Sequence, residues 1–221
     1  MTMVATTRRS VLPLNWSDWL IPAGLLALAF VPVAGGIFRA TMLATHVTIT
    51  PENARFVTSP LPVLLHIVSV TTYSILGAFQ FSPGIRRRWP GWHRAAGRVL
   101  VAAGLVAAFS GLWMATFYAI VPADNALLHG FRLFFGTAMA MSIVLGLLAI
   151  RQGRVSVHQA WMRRAYAIGI GAGTQALTQI PLVIGLGRLD SMTLALAMGG
   201  AWVLNLAVAE WLILKQPSTL P

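Results

Sequence analysis

The chain consists of long apolar stretches separated by short polar ones. Six of these stretches are long enough to cross the roughly 30 Å hydrocarbon core of a bilayer as α-helices. They lie at about residues 19–43, 60–81, 90–121, 125–150, 157–187 and 191–214. The pattern predicts an all-α integral membrane protein with one domain of six transmembrane helices, about residues 19–214. Residues 1–18 and 215–221 form short tails on either side of it.

Short polar residues and proline mark where several of these helices begin. Ser59 precedes Pro60, and proline is favoured at the first position of a helix. Asp124 is the expected N-cap of the fourth span. Ser156 with Gln159 forms a capping-box pattern at the start of the fifth.

The basic residues predict the orientation of these spans. If the N-terminus is inside, twelve of the sixteen lie on one face and four on the other. Positive residues accumulate on the cytoplasmic side, so both termini are predicted to be cytoplasmic, in a bacterial inner membrane. The inner set is Arg8, Arg9, Arg86, Arg87, Arg88, Arg94, Arg98, Arg151, Arg154, Arg163, Arg164 and Lys215, and the outer set is Arg39, Arg55, Arg132 and Arg188.

The composition supports a membrane protein and excludes several kinds of site. Only 10% of residues are charged and the mean hydropathy is +0.75, whereas soluble domains carry about 25% charged residues. The net charge of +11 lies between the apolar runs, which favours contact with anionic lipid at the cytoplasmic face over nucleic-acid binding. The absence of cysteine excludes disulfides, iron–sulfur clusters and covalently attached c-type haem.

Two histidine motifs occur twice and suggest an internal repeat. A Leu-Leu-His sequence ends at His66 and again at His129, and the pattern H-x-A-x-x-R begins at His93 and again at His158. Together they predict a duplicated helical hairpin whose copies run the same way across the membrane. Spans two to five, about residues 60–187, then form a four-helix core, and the first and sixth spans flank it.

The repeat would arrange these four histidines in two layers. His66 and His129 lie roughly 7–10 Å inside the outer helix ends, and His93 and His158 lie near the inner starts of spans three and five. Two facing imidazoles can supply both axial ligands of a b-type haem. The arginines expected to pair with haem propionates are Arg94, Arg98, Arg132 and Arg163.

A simpler interpretation of the same residues stays open. Histidines near helix ends are common interfacial residues, and the nearby arginines follow from the positive-inside rule. His46, in the first outer loop, is expected to be only solvated. A single outer haem is a further possibility, and so is a repeat that fixes helix packing or binds lipid or quinone without haem.

Other polar or small residues within the spans are weaker candidates. Glu210 is an ionisable residue in the sixth span, but it lies near Lys215 and is expected to reach the inner interface. A polar strip in the fifth span predicts hydrogen bonds between helices or, as a sharper hypothesis, a quinone headgroup site; its members are Thr174, Gln175, Thr178 and Gln179. Glycines in the same span would let a helix or a flat cofactor approach closely, namely Gly169, Gly171 and Gly173.

The motifs that begin at His93 and His158 resemble those of a bacterial family of uncharacterised multi-pass membrane proteins. That family has an H-R-x-x-G segment before one span and an H-x-x-W-M-x-R segment before another. The similarity covers about residues 60–187, and the family implies no activity. More distantly, the alternating histidines are similar to those of transmembrane two-haem cytochromes b, whose four-helix core passes electrons across the bilayer. In those cytochromes the ligands lie within the spans, whereas His93 and His158 lie at helix starts.

The preferred functional hypothesis is a b-type cytochrome-like membrane electron carrier with bis-histidine haem b, an electron-transfer component of an oxidoreductase. The first alternative is a cofactor-free structural or accessory membrane subunit that binds lipid or quinone. A small-solute transporter is the second, disfavoured because no span has a charged residue at its middle. The expected partners are the lipid bilayer and either a membrane complex or further copies of the chain.

Overall fold

The computed structural model describes residues 14–45, 48–121 and 124–215, so His46 lies outside the described residues. Within these ranges the chain is helical and has no strands, which confirms the predicted fold class. Six helical segments are long and apolar enough to cross a membrane. The helices are α1 Ser17–Ala44, α2 Ala54–Thr58, α3 Pro60–Gln80, α4 Pro83–Arg88, α5 Pro90–Phe117, α6 Ala126–Arg151, α7 Val155–Gly169, α8 Gly171–Leu186 and α9 Ser191–Leu214.

Two of the predicted helix caps are wrong. Helix α6 begins at Ala126 because the side chain of Asn125 accepts a hydrogen bond from the backbone N–H of Leu128 at 2.8 Å. Asp124 is therefore not the cap, and two arginines bind its carboxylate instead. Ser156 lies inside α7, which begins at Val155, so it forms no capping box. Pro60 does begin α3, as predicted.

The third and fifth spans end or break where their apolar sequences continue. Helix α5 stops at Phe117, four residues short of the predicted end, because Tyr118 is extended and its hydroxyl donates to the carbonyl of Ser59 at 2.7 Å. The fifth span was predicted as one helix but consists of α7 and α8, which are separated at Ile170. Glycine precedes and follows this break, and the ring of Tyr73 packs directly against Gly169.

The helices pack in an order that surrounds a small core. Helix α1 contacts α3 and α8, α3 contacts α5, α5 contacts α6, and α9 contacts α6, α7 and α8. Large apolar side chains remain exposed around the circumference, such as Phe30, Phe109 and Ile184, which a hydrocarbon solvent accommodates. The core includes Tyr73, Leu100, Phe135, Met139, Ile143 and Tyr166.

Polar side chains tie the last three helices together. The hydroxyl of Thr174 donates to Oδ1 of Asn205 at 2.8 Å, and Nδ2 of Asn205 donates to the carbonyl of Ala167 at 3.0 Å. Nε2 of Gln175 donates to the carbonyl of Met198 at 3.2 Å. The prediction of hydrogen bonds between helices is therefore confirmed for Thr174 and Gln175. Thr178 bonds only within α8, to the carbonyl of Gln175.

The two ends of the bundle differ in charge. We call the end where α3 finishes and α5 and α7 begin the arginine-rich end. There the guanidinium of Arg164 binds the carboxylate of Glu210 through two hydrogen bonds, of 2.5 and 2.8 Å. This pair joins α7 to α9 and explains Glu210 without a functional site. The side chains at this end include Arg86, Arg87, Arg88, Arg94, Arg163 and Arg164.

Candidate functional site

A cavity of about 330 Å³ opens toward the end of the bundle opposite the arginine-rich end. This size is at the lower limit of the range typical of small-molecule sites, about 300–1,000 Å³. Helices α3, α5, α6, α8 and α9 all contribute to its wall, which is mainly apolar. The lining includes Val70, Ala107, Ala108, Gly111, Met114, Ala115, Phe135, Gly136, Met139, Ile168, Gly169, Ala172, Met198 and Trp202.

His66 is the histidine on the cavity wall, and its proton can be placed. Nδ1 lies 2.9 Å from the carbonyl oxygen of Ala107 and 3.1 Å from Oγ of Ser110. A carbonyl oxygen only accepts, so Nδ1 carries a proton. None of the described lining residues is acidic, so no carboxylate on the wall stabilises an imidazolium. In the neutral ring Nε2 then has no proton and is an acceptor.

Two arginines and one carboxylate stand at the mouth of the cavity. Nη1 of Arg55 lies 3.0 Å from Oδ2 of Asp124, and Nη1 of Arg132 lies 2.7 Å from Oδ1 of the same carboxylate. Arg55 also donates to the carbonyl of Ala119 at 3.2 Å. Because one carboxylate neutralises only one of the two guanidinium groups, the mouth keeps a net positive charge. The hydrogen bonds among these groups join α2, the segment that follows α5 and the start of α6.

The carboxyl group of Asp124 depends on these arginines for its charge. Burial disfavours ionisation, but the charge of Arg132 and the hydrogen bonds from Arg55 and Arg132 outweigh it and hold the pKa of Asp124 below its usual range. A carboxylate whose pKa is lowered on folding stabilises the fold above its unfolded pKa, about 3.9. That stabilisation is lost as the pH falls through the folded value.

We therefore expect Asp124→Asn to lower the free energy of unfolding at pH 7 by about 2 kcal/mol, because two half-buried guanidinium groups lose their counter-ion. The difference in melting temperature between the wild type and this variant should shrink as the pH falls below about 4. Thermal unfolding of both proteins in detergent, from pH 7 to below about pH 4, measures this difference. A difference that stays constant across the range would contradict the role of the charge.

The inner part of the cavity combines aromatic rings with one amide. Trp202 stacks on Phe135, with ring centroids 4.9 Å apart. Gln175 lines the cavity, and because its Nε2 donates to the carbonyl of Met198, its amide is held in place. A flat ring that enters the cavity would therefore meet apolar and aromatic surface, with His66 and Gln175 as polar contacts.

His129 does not line this cavity. It lies in the first turn of α6, three residues before the cavity-lining Arg132, and it is half-buried. The cap at Asn125 puts it nearer the helix end than Asp124 would have done. The structure thus gives His66 and Arg132 places at the cavity, and the axial pairing of His66 with His129 stays a prediction.

The other two histidines lie close together at the arginine-rich end. Nδ1 of His158 is 2.9 Å from the carbonyl oxygen of Gly146, so it is a donor as well. His158 and Arg86 are both close enough to His93 to interact with it electrostatically, and so is Arg86 to Arg163. The side chains of Arg94 and Arg98 are exposed. A haem between His93 and His158 stays a prediction.

In the described part of the chain no group of three or more histidine, aspartate or glutamate side chains could hold a metal ion. This finding leaves a bis-histidine haem untested, since haem iron needs only two protein ligands.

Sequence reasoning missed several residues of the site. Arg55, Tyr118 and Trp202 lie far apart in sequence and meet only in the folded bundle. One signal was present in the third span, where small residues recur at helical spacing and leave one face of α5 without bulk. These residues are Ala107, Ala108, Gly111 and Ala115.

Comparison with known proteins gives one match. A family model described as "Predicted membrane protein (DUF2306)" matches residues 63–213, which is more than half of the chain. The match covers the second to the sixth span, so it confirms the resemblance to an uncharacterised multi-pass membrane family and extends it into α9. No curated protein and no solved structure matches the chain.

Proposed function

This chain belongs to the DUF2306 family of predicted membrane proteins, and we propose that it is a quinone-binding membrane protein. The cavity beside His66 would hold the ring of a lipid-soluble quinone or quinol. One observation carries this proposal: His66 lines the cavity, and its Nδ1 proton is already bonded to the carbonyl of Ala107. The other ring nitrogen, Nε2, is an acceptor, and the cavity that His66 lines is largely apolar.

The chemistry of the cavity suits such a ring. A quinol hydroxyl can donate to Nε2 of His66, and the apolar body of the ring can lie against Trp202 and Phe135. Burial of apolar area contributes about 25 cal/mol per Å², and the isoprenoid tail can extend into the bilayer. Binding and orientation are the functions supported here. A reaction would need an electron partner beyond this chain.

Purification in a mild detergent followed by solvent extraction tests the proposal. We expect roughly one quinone per chain, quantified by chromatography and mass spectrometry, because the cavity is of single-ligand size. Quinone at the level of bulk detergent-extracted lipid, together with no binding of added short-chain quinol, would overturn it.

Haem b is a second candidate, and a specific feature favours it. A histidine that binds a metal through Nε2 usually donates its Nδ1 proton to a carbonyl or carboxylate, as His66 does. Arg132 at the mouth could donate hydrogen bonds to a propionate, and methionine thioethers line the cavity at Met114, Met139 and Met198. The fit is partial for two reasons. Among the described lining residues His66 can supply one axial ligand but not both, and the cavity is small for a porphyrin. Bound haem would supply one-electron transfer.

An absorption spectrum separates the two candidates. A Soret band, and an α-band on reduction, from protein produced with sufficient haem would favour the cytochrome-like electron carrier. Their absence together with bound quinone would favour the quinone-binding protein. Apolar lipid alone in the extract would favour a cofactor-free accessory subunit.

The orientation predicted from the basic residues completes the proposal. Both termini would be cytoplasmic in a bacterial inner membrane, so the cavity would open toward the outer side. The chain has no cysteine, so single cysteines can be labelled without background. We expect a membrane-impermeant maleimide to label Glu52→Cys in intact spheroplasts and Arg87→Cys only after lysis. The opposite pattern would invert the orientation.

A further inference from the structure

Three buried side-chain nitrogen atoms at the arginine-rich end have no hydrogen-bond partner in the described part of the chain. They are Nε2 of Gln80, Nδ1 of His93 and Nη1 of Arg163. They belong to three different helices, α3, α5 and α7. A buried polar group without a partner lowers the stability of the fold, and a charged one lowers it more. A bound group that formed hydrogen bonds with these atoms would remove that cost.

The charges around these atoms have one sign. Arg86 is close enough to both His93 and Arg163 to interact with them electrostatically. Two of the five acidic residues lie at this end, and the carboxylates of both already accept hydrogen bonds from other groups. Asp18 accepts hydrogen bonds from the backbone N–H groups of Gly84 and Asn15, and Glu210 binds Arg164.

Position and shape favour an acceptor that is joined to an apolar chain. Arg86 lies in the short helix α4, which Asp18 holds between the ends of α3 and α5. Beside it Trp89 and Trp92 are 45% and 38% exposed, as is usual for tryptophan at headgroup level. These rings also line a shallow apolar groove of about 350 Å³ with Trp19, Phe79 and Ile85. A polar anion joined to an apolar chain would fit both parts.

We propose that Arg86, His93 and Arg163 form a binding site for a phosphate group, most simply the headgroup phosphate of an anionic lipid whose acyl chain lies in the tryptophan groove. Guanidinium and imidazole N–H groups donate strong, charge-assisted hydrogen bonds to phosphate oxygens. A soluble phosphate compound offers the same chemistry without the chain. The site lies at the other end of the bundle from the His66 cavity and does not depend on the quinone proposal.

Thermal unfolding in detergent tests this site. Delipidated protein is titrated with phosphatidylglycerol, with zwitterionic phosphatidylcholine and with inorganic phosphate. We expect phosphatidylglycerol to raise the melting temperature by several degrees. Arg86→Gln and Arg163→Gln should each weaken that effect at least tenfold in apparent affinity. Arg87→Gln, one residue along the same short helix and exposed, is the matched control and should behave as the wild type.

The outcomes show whether the site binds phosphate and whether a lipid or a soluble compound supplies it. Stabilisation by phosphatidylglycerol alone that needs Arg86 and Arg163 supports a lipid headgroup. An equal effect of inorganic phosphate with the same dependence supports a soluble phosphate compound. Equal stabilisation by both lipids, no stabilisation, or an equal loss in Arg87→Gln would overturn the proposal. Arg163→Lys keeps the charge and should recover part of the affinity, so a general folding defect in Arg163→Gln is recognisable, and Arg86→Gln provides an independent reading.

Discussion

Gly173→Ala is expected to destabilise the protein by about 3 kcal/mol. This is the largest effect that we expect from the addition of a single methyl group to this protein. A Cβ atom at this position would collide with the backbone oxygen of Leu28 on α1. A backbone atom inside a helix cannot rotate away as a side chain does, so α8 and α1 would have to separate. The glycine thus explains how these two helices pack so closely.

Gly185→Ala in the same helix is the matched control, because a Cβ atom there meets nothing within 4 Å. Alanine is favoured over glycine inside a helix, so this variant should gain about 0.5–1 kcal/mol. Unfolding in mixed micelles with increasing SDS measures both free energies. Equal stability of the two variants would show that α1 and α8 are not packed as the structure has them.

His66→Ala should abolish a preference for the reduced form of a bound quinone. Nδ1 of His66 is committed to Ala107, so Nε2 can accept from a quinol hydroxyl but offers no proton to a quinone carbonyl. We therefore expect wild-type protein to bind a short-chain quinol about tenfold more tightly than the quinone, which corresponds to one hydrogen bond in an apolar site. Calorimetric titration of both forms measures the ratio.

His129→Ala is the control for that measurement, because the structure puts His129 outside the cavity wall. Its preference for quinol should equal that of the wild type. An equal loss of the quinol preference in both variants would favour the pairing predicted from the sequence, in which His66 and His129 bind one ligand together. An unchanged preference in His66→Ala would show that the ring binds elsewhere.

Much of the fold could be predicted because the bilayer constrains it strongly. A hydrocarbon solvent requires the backbone of every crossing to satisfy its own hydrogen bonds, which favours long apolar helices, and the sixth span agrees with the prediction residue for residue, Ser191–Leu214. The break at Ile170 could not be predicted, since the apolar sequence continues through it. At the break the rings of Tyr73 and Trp202, which are distant in sequence, pack against Gly169 and Gly171.

Only some residues of the candidate site could be predicted from the sequence. His66 was identified from a repeated motif, and Arg132 from its position in the fourth span. The cap was misassigned because Asp124 and Asn125 are both good N-cap residues, and only the folded structure brings Arg55 and Arg132 to Asp124. The role of Asn205 was missed for a similar reason, since its partners belong to α7 and α8.

The most direct test of the central claim is the amount of quinone that copurifies with Ala172→Phe relative to the wild type. Ala172 lines the cavity and is exposed, so a phenyl ring there has room to fill the cavity without disturbing the core. We predict roughly one quinone per wild-type chain and at least a tenfold loss in the variant, with the melting temperature nearly unchanged. An equal quinone content in the two proteins would contradict the claim that the cavity beside His66 is the binding site.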